Sequence, residues 1–290
     1  MQNEMVPIPV FKIQHKQDKK SVRDFHSHDG YEIVWIKNGE AKFIFPEKVY
    51  HLKKDHVLFF KSTEFHKVSL PENTKYDRVV IMFTDDFFSV EQPVFTKFKQ
   101  MLDDLPSHHG LLHLFIWRKS PFEHIVDQLL LEDGDRHVWG QKDAMELYLT
   151  ELLLYLSREM HSSFNQELTY NHSMNKTQDV VLQERILKEI NNIWDTNWQL
   201  EDLADRLHFN KYYLCHFFKK EFGMTIHQYI LQRRIFEAQR MLIDTNISIN
   251  DMASQVGFST ASNFIRCFKK YVHMTPKQFR DHRNTDMANM

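Results

Sequence analysis

FFKKEFGMTIHQY, residues 217–229, and CFKKYVHMTPKQF, residues 267–279, are one segment written twice at an offset of about 50 residues, with Phe-Lys-Lys, Met-Thr and Gln in register. Upstream, with one residue of slippage, LADRLHFN (Leu203 to Asn210) matches MASQVGFS (Met252 to Ser259). Each copy reads as a short helix, a tight turn at His208-Phe209-Asn210 or Gly257-Phe258-Ser259, and a longer helix. In the longer helix Leu214, Phe217 and Phe218 stand at i, i+3 and i+4 and turn inward; Phe264 and Phe268 do the same in the copy. The face left outward carries Lys211, Tyr212, Cys215, His216, Lys219 and Lys220, and in the copy Ser262, Ile265, Arg266, Lys269 and Lys270. Hydrogen-bonding side chains near the start of such a helix and lysine pairs near its end describe a helix-turn-helix unit.

The two units span about 200–221 and 249–271. Ile226 to Ile243 joins them with one apolar stripe, Ile230, Ile235, Ala238, Met241 and Leu242. That spacing predicts a continuous helix of about 26 Å. A strut of this length sets two recognition helices in successive major grooves, about 34 Å apart. Arg234 in the strut reads as structural, and Ser248 with Asp251 as the cap that opens the second unit.

Outside the repeat the texture differs. Short apolar runs, YEIVWI, AKFIF, KVYHL, HVLFF, HKVSL and DRVVIMF, lie between Ser21 and Phe83, with Asn38-Gly39 as a turn. They predict an antiparallel barrel or sandwich. Pro121 to Leu131 and Gln141 to Met160 have helical spacing. In the second, Met145, Leu149, Leu152 and Leu156 form an a/d seam and are the expected dimer interface, with Leu147, Leu154 and Tyr155 as a second flank. HSSFNQELTYNHSMNKTQ, 161–178, is polar and aperiodic and reads as a linker. The expected division is an effector and dimerisation domain at 1–160, a linker at 161–180 and a DNA-binding domain at 181–290, in an α+β chain of two domains.

Composition bounds these readings. With 290 residues, 42% hydrophobic, 26% charged and only 7 Gly and 2 Cys, the chain is neither disordered, collagenous nor a disulfide-stapled miniprotein. Its first 20 residues hold no apolar signal core, and its apolar runs, such as Val79 to Phe83, are too short to cross a bilayer. Two cysteines, Cys215 and Cys267, fit a reducing compartment, so a cytoplasmic location without membrane contact is expected. Val180 to Met290 has 15 Lys+Arg against 12 Asp+Glu, while Met1 to Asp179 has 22 against 27. The basic third is the one with the repeat, which is the sign nucleic acid requires.

VGFS (256–259), FKK (268–270) and MTPKQFR (274–280) together resemble the signature of the AraC/XylS transcriptional regulators, over about Leu182 to Arg283. The resemblance implies base-edge contacts from Tyr212, Cys215, His216, Ser262, Ile265 and Arg266. It implies phosphate contacts from Lys211, Lys219, Lys220, Lys269 and Lys270. His273 stands where the family usually has Gly, at a position that closes a helix in the left-handed conformation.

His26, His28, Glu32 and Gly39 have the spacing HxHx3Ex6G, and Asp55, Lys61 and His66 fall where a second cupin motif has Gly, Pro and His. The N-terminal part is therefore similar to a cupin barrel, the usual effector domain of these relatives. Two readings of His26, His28, Glu32 and His66 stay open: the wall of a metal-free effector pocket, or ligands for a divalent Zn, Fe, Mn or Ni. No Walker loop, dinucleotide fingerprint or catalytic triad is present, so a non-enzymatic regulator is expected. The resemblance adds activation, RNA polymerase and a homodimer as partners of the double-stranded DNA, and a sugar or related metabolite as effector. The alternatives are a metal-dependent cupin enzyme with a DNA-binding tail and a constitutive DNA-binding protein.

Overall fold

The computed structural model describes residues 9–18, 25–71, 75–105, 108–134, 138–170 and 178–281, the side chains of 18, 116–118 and 163–170 excepted. Its strands are β1 (Phe11–Asp18), β2 (Tyr31–Asn38), β3 (Glu40–Ile44), β4 (Val49–Lys53), β5 (His56–Lys61), β6 (Lys67–Ser69), β7 (Tyr76–Phe83) and β8 (His109–His113). All pairings are antiparallel. They make a five-stranded sheet of order β1-β7-β2-β5-β8 and a three-stranded sheet of order β4-β3-β6. Of the expected barrel or sandwich, the described residues form two facing antiparallel sheets, with no ladder joining them among the described residues. The small sheet's strands have five, five and three residues, too few to lap both edges of the larger one.

Alternate residues of the large sheet feed two cores. Val34, Leu58, Phe60 and Val80 meet Phe43, Phe45 and Leu52 of the small sheet. Ile33, Trp35, Phe59, Val79 and Ile81 point the other way, onto α1 (Pro93–Asp104), α2 (Ile116–Gly134) and α3 (Gln141–Tyr170). A sheet covered on both faces needs apolar residues on both, which is why β2, β5 and β7 carry the continuous runs IVWI (33–36), VLFF (57–60) and VVIMF (79–83).

Helix α3 corrects two expectations. Met145, Leu149, Leu152 and Leu156 are buried within a single chain, in the core beneath the large sheet, so the heptad-like seam is no exposed dimer face. The helix also runs on to Tyr170, ten residues into the stretch expected as a linker, and the next helix starts at Gln178; 171–177 lie outside the described residues. With no Gly or Pro in 161–170, nothing there stops a helix already nucleated.

The C-terminal part comprises α4 (Gln178–Asn191), α5 (Leu200–Leu207), α6 (Lys211–Phe222), α7 (Ile226–Asp244), α8 (Ile249–Gln255) and α9 (Ala261–Val272), followed by helical residues 276–281. The 19 residues of α7 give a strut of about 28 Å. The repeat's Thr and Gln have a local cause. Thr225 and Gln228 close a capping box at the start of α7, with Thr225 N–H donating to Gln228 Oε1 at 2.8 Å and Gln228 N–H to Thr225 Oγ1 at 3.2 Å. Thr275 and Gln278 repeat it at 2.9 and 3.2 Å. Ser248 caps α8 through the Asp251 N–H. Gly223 ends α6 at φ 71°, and His273 ends α9 in the same left-handed conformation at φ 64°.

Arg234 is structural as expected. Its guanidinium donates to the Trp194 and Thr196 carbonyls at 2.6 Å each, pinning the loop after α4 to α7. The same loop explains Gly257, at φ 80°: a Cβ there would sit 2.6 Å from the Asp195 carbonyl oxygen.

Candidate nucleic-acid interface and buried histidine cluster

Helices α6 and α9 present equivalent faces. Leu214, Phe217 and Phe218, like Phe264 and Phe268, are buried, whereas Tyr212, Cys215, His216, Lys219 and Lys220 are exposed in α6 and Ser262, Ile265, Arg266, Lys269 and Lys270 in α9. The five α9 residues line an open groove of about 550 Å³. Arg266 is steadied by Asn263, one turn back, whose Oδ1 accepts from its guanidinium at 3.0 Å. That support escaped the sequence reading, although the i, i+3 spacing is the available signal. Lys211 is turned toward α5 instead, with Nζ 2.9 Å from Glu201 Oε1. Both lysine pairs stand in the last turns of their helices.

The four N-terminal candidates converge, though His26, His28 and Glu32 do not lie along one strand. The chain bends at Gly30, φ 89°, where a Cβ would lie 2.1 Å from the Phe83 carbonyl oxygen, and β2 begins only at Tyr31. His26 and His66 exchange backbone hydrogen bonds of 2.9 Å in both directions. As a result His26, His28 and His66 offer ligand atoms all within 4.8 Å of one another. Glu32 Oε2 accepts from His28 Nε2 at 2.8 Å and lies 3.8 Å from His66 Nε2. Asp55, where the second motif would have Gly, has the left-handed φ of 66° that such a Gly serves.

Charge in this cluster is asymmetric. Burial disfavours the Glu32 carboxylate, but the hydrogen bond and charge of His28, aided by His66 and His26, outweigh it and lower the carboxyl to about 2. Burial, reinforced by His26, pushes the His66 imidazole down to about 3, so it is neutral near pH 7. His66 Nδ1 donates to the Glu64 carbonyl at 2.7 Å, which leaves the lone pair on Nε2. In the neutral form of His28 that donates from Nε2 to Glu32, the lone pair lies on Nδ1, which is buried without a hydrogen-bond partner among the described residues. An orphaned nitrogen backed by a carboxylate on the other side of the ring fits a divalent cation.

Sequence reasoning missed the contact between the two parts of the chain. Phe25, Ile44, Val49 and Phe65 share one core with Ile190, Phe218, Tyr229 and Phe236. Lys67, only 4% exposed, donates from Nζ to the Phe222 carbonyl at 2.7 Å, at the C-terminal end of α6. Lys42 pairs with Glu221 at 2.9 Å, and Glu221 also accepts from Gln183 at 2.6 Å. Lys67 follows His66 directly, so the backbone that holds the histidine cluster also holds α6. A lone lysine in a strand gives no sign of such a partner.

Comparison with known proteins bears on both parts. Residues 9–117 match the family described as AraC-like ligand binding domain, and residues 203–282 the family described as helix-turn-helix domain. An uncharacterized HTH-type transcriptional regulator of Bacillus subtilis, YtdP, is 31% identical over 104 residues, 36% of this chain and 14% of that protein. The HTH-type transcriptional activator RhaS of Escherichia coli O81 is 23% identical over 259 residues, 89% of this chain and 88% of its own. Among solved structures, ToxT of Vibrio cholerae is 17% identical over 94% of this chain and 98% of that one, with a TM-score of 0.36.

Proposed function

The chain belongs to the AraC/XylS family of transcription regulators, and from that premise we propose that it reads a specific DNA site with α6 and α9 and activates transcription under the control of a small molecule. The observation that carries this reading is the matched pair of faces: two helices, joined by a rigid strut, with apolar sides buried and hydrogen-bonding and cationic sides exposed. Tyr212, Cys215, His216, Ser262, Ile265 and Arg266 take base edges, and Lys219, Lys220, Lys269 and Lys270 take phosphates, joined by Lys211 once it leaves Glu201.

The effector, a sugar or related metabolite, acts on the N-terminal sheets, with His26, His28, Glu32 and His66 as the responsive cluster. Because Phe25 and Phe65 pack on Tyr229 and Phe236 of α7 while Lys67 holds the end of α6, and all three adjoin these histidines, a shift of the cluster changes how the two helices are held. A ligand moves this equilibrium only by its difference in affinity for the two arrangements. The orphaned Nδ1 of His28 favours a second reading of the same cluster, in which His26, His28 and His66 hold a divalent cation that supplies a fixed charge and a cross-link. RNA polymerase and a second copy of the chain are the remaining partners, the copy docking on the outward flank of α3, where Leu147 is exposed.

Footprinting of the purified chain on DNA flanking its own gene tests the reading. Two protected major-groove segments about one turn apart per protomer are expected, with affinity falling steeply as salt rises. No protection at low salt would overturn it. Metal analysis of the same preparation, with His26→Ala as control, decides between the two readings of the cluster.

A further inference from the structure

The histidines of the cluster sit on a ribbon with two different faces. Residues 26–30 and 62–66 run side by side, with His26 and His66 exchanging backbone hydrogen bonds of 2.9 Å, His28 N–H donating to the Ser62 carbonyl at 3.0 Å and Ser62 N–H to the Gly30 carbonyl at 2.9 Å. Neighbours along an extended chain point to opposite sides. On one side His66 meets Phe45 and Phe60 between the two sheets, with ring centroids 5.8 and 4.9 Å away, and His26 lies 4.4 Å from it. On the other side Phe25 and Phe65 stack at 4.6 Å and reach α7, Phe25 edge-on to Tyr229 at 5.0 Å and Phe65 flat on Phe236 at 5.2 Å, while Lys67 holds the Phe222 carbonyl of α6. The imidazoles and the residues that grip the DNA-binding part are therefore sequence neighbours on opposite faces of one ribbon.

That layout favours an ion over an organic molecule. Phe43, Phe45, Leu52, Leu58 and Phe60, each 0 or 1% exposed, fill the layer against which the imidazoles lie. A polyol needs room and several hydrogen-bonding groups in that layer, whereas a cation needs only the ring nitrogens, which already stand within 4.8 Å of one another. Imidazole nitrogens select borderline divalent ions such as zinc over magnesium and calcium, which prefer oxygen. Glu32 on His28 Nε2 and the Glu64 carbonyl on His66 Nδ1 orient two of the rings from behind.

We propose that a zinc-class cation is itself the regulatory signal, sensed by His26, His28 and His66 and relayed by Phe25, Phe65 and Lys67 to α6 and α7. This rests on the cation reading of the cluster and adds that occupancy is felt by the DNA-binding part. The histidines come from both edges of the ribbon, so holding them together ties residues 26–28 to 66 and stiffens the face that carries the two phenylalanines and the lysine. With that face gripping α6 and α7, the outward sides of α6 and α9 stay exposed, so the stiffened ribbon favours DNA binding. An ion held equally well by a loose and a tight ribbon would shift nothing. The tight ribbon is favoured because it keeps all three rings converged.

The full-length chain, treated with a chelator and then titrated with zinc against a chromogenic chelator, provides the test, with magnesium as control. Zinc should bind with a Kd below about 1 μM and magnesium should not compete. Stoichiometric zinc should slow amide exchange at Lys67, Phe222 and Gly223 and raise affinity for DNA flanking the chain's own gene about tenfold. His26→Gln, at the least buried of the three rings, should lose both responses, with unchanged protection of β2 and β5 as evidence that it folds. Lys67→Met should still bind zinc but lose most of the gain in affinity, which separates relay from binding. No zinc binding would overturn the cation reading and this inference with it. Binding that alters neither exchange nor DNA affinity, or a chelated chain that does not fold, would overturn the inference alone and leave the cation as a structural cross-link. The same responses with magnesium, or their survival in His26→Gln, would overturn it by placing the ion elsewhere. Exchange is read without DNA, so it tests the relay whether or not footprinting finds a site.

Discussion

Arg266, proposed above to read a base edge, is held by a neighbour: Asn263 accepts from its guanidinium at 3.0 Å, on the exposed face of α9. Bidentate capture of a guanine edge gains from that order, so Arg266→Ala should cost about 1–3 kcal/mol of DNA affinity and relax the choice of base at one position. Lys270→Ala should instead weaken all sequences alike and lower the salt slope by about one, a difference that binding isotherms at several salt concentrations resolve. These outward residues were legible because a 3.6-residue period separates them from Phe264 and Phe268. His66 makes a prediction of another kind. Unfolded, its imidazole takes a proton as pH falls through 6.5; folded, burial delays this to about 3. Its neutral form therefore adds stability above pH 6.5 that is lost as pH falls from 6.5 toward 3. Glu32, lowered from 4.5 to about 2, adds a second loss between those values. Urea midpoints of chelator-treated protein should decline from pH 6.5 downward, and His66→Gln should flatten the part above pH 4.5. The motif spacing brought these residues to notice; that Gly30 rather than a continuous strand gathers them was not legible, because a one-residue bend has no periodicity.

At the scale of elements, the repeat was visible as identity before its physics was. Thr225 with Gln228 and Thr275 with Gln278 are retained in both copies as capping boxes. Thr275→Ala should destabilise the last helical segment by about 1 kcal/mol, seen as faster amide exchange at Gln278 with the N-terminal sheets unaffected. His273 is the reverse case, a side chain where the backbone wants none, at φ 64°. His273→Gly should raise stability by about 1 kcal/mol in urea unfolding and leave DNA affinity unchanged. The strands from β2 to β7 were readable from apolar runs; β1 and β8 were not. FKIQHKQD has polar residues at six of its eight positions because β1 is an edge strand, and HGLLH is short, with Gly110 packed against the Phe59 ring. The seam on α3 misled for a related reason: steps of four and three mark any buried helix face, and only the layer above it shows whether its partner is a sheet of the same chain or a second copy.

At the scale of the whole molecule, the division into two domains was legible from texture, while their fusion through one core was not. Contacts such as Phe65 on Phe236 or Lys67 on Phe222 join residues about 160 positions apart with no pattern linking them. Lys67 is the sharpest of these. A buried ammonium persists only where its desolvation is offset, here by the last carbonyl of α6 and the negative end of that helix. In Lys67→Met the stem is kept and the donor lost, leaving a buried carbonyl unmatched at a cost of about 1–3 kcal/mol. If the lysine only filled space, Met would serve and nothing downstream would change. If it positions α6, amide exchange at Phe222 and Gly223 should quicken while the core beneath the large sheet keeps its protection, and DNA affinity should shift at the half-site read by α6 but not at the one read by α9. Lys42→Ala, which removes the exposed-side partner of Glu221 without touching the core, should produce the same pattern more weakly. Equal losses at both half-sites would mean that the seam holds the domain together without aiming its first recognition helix.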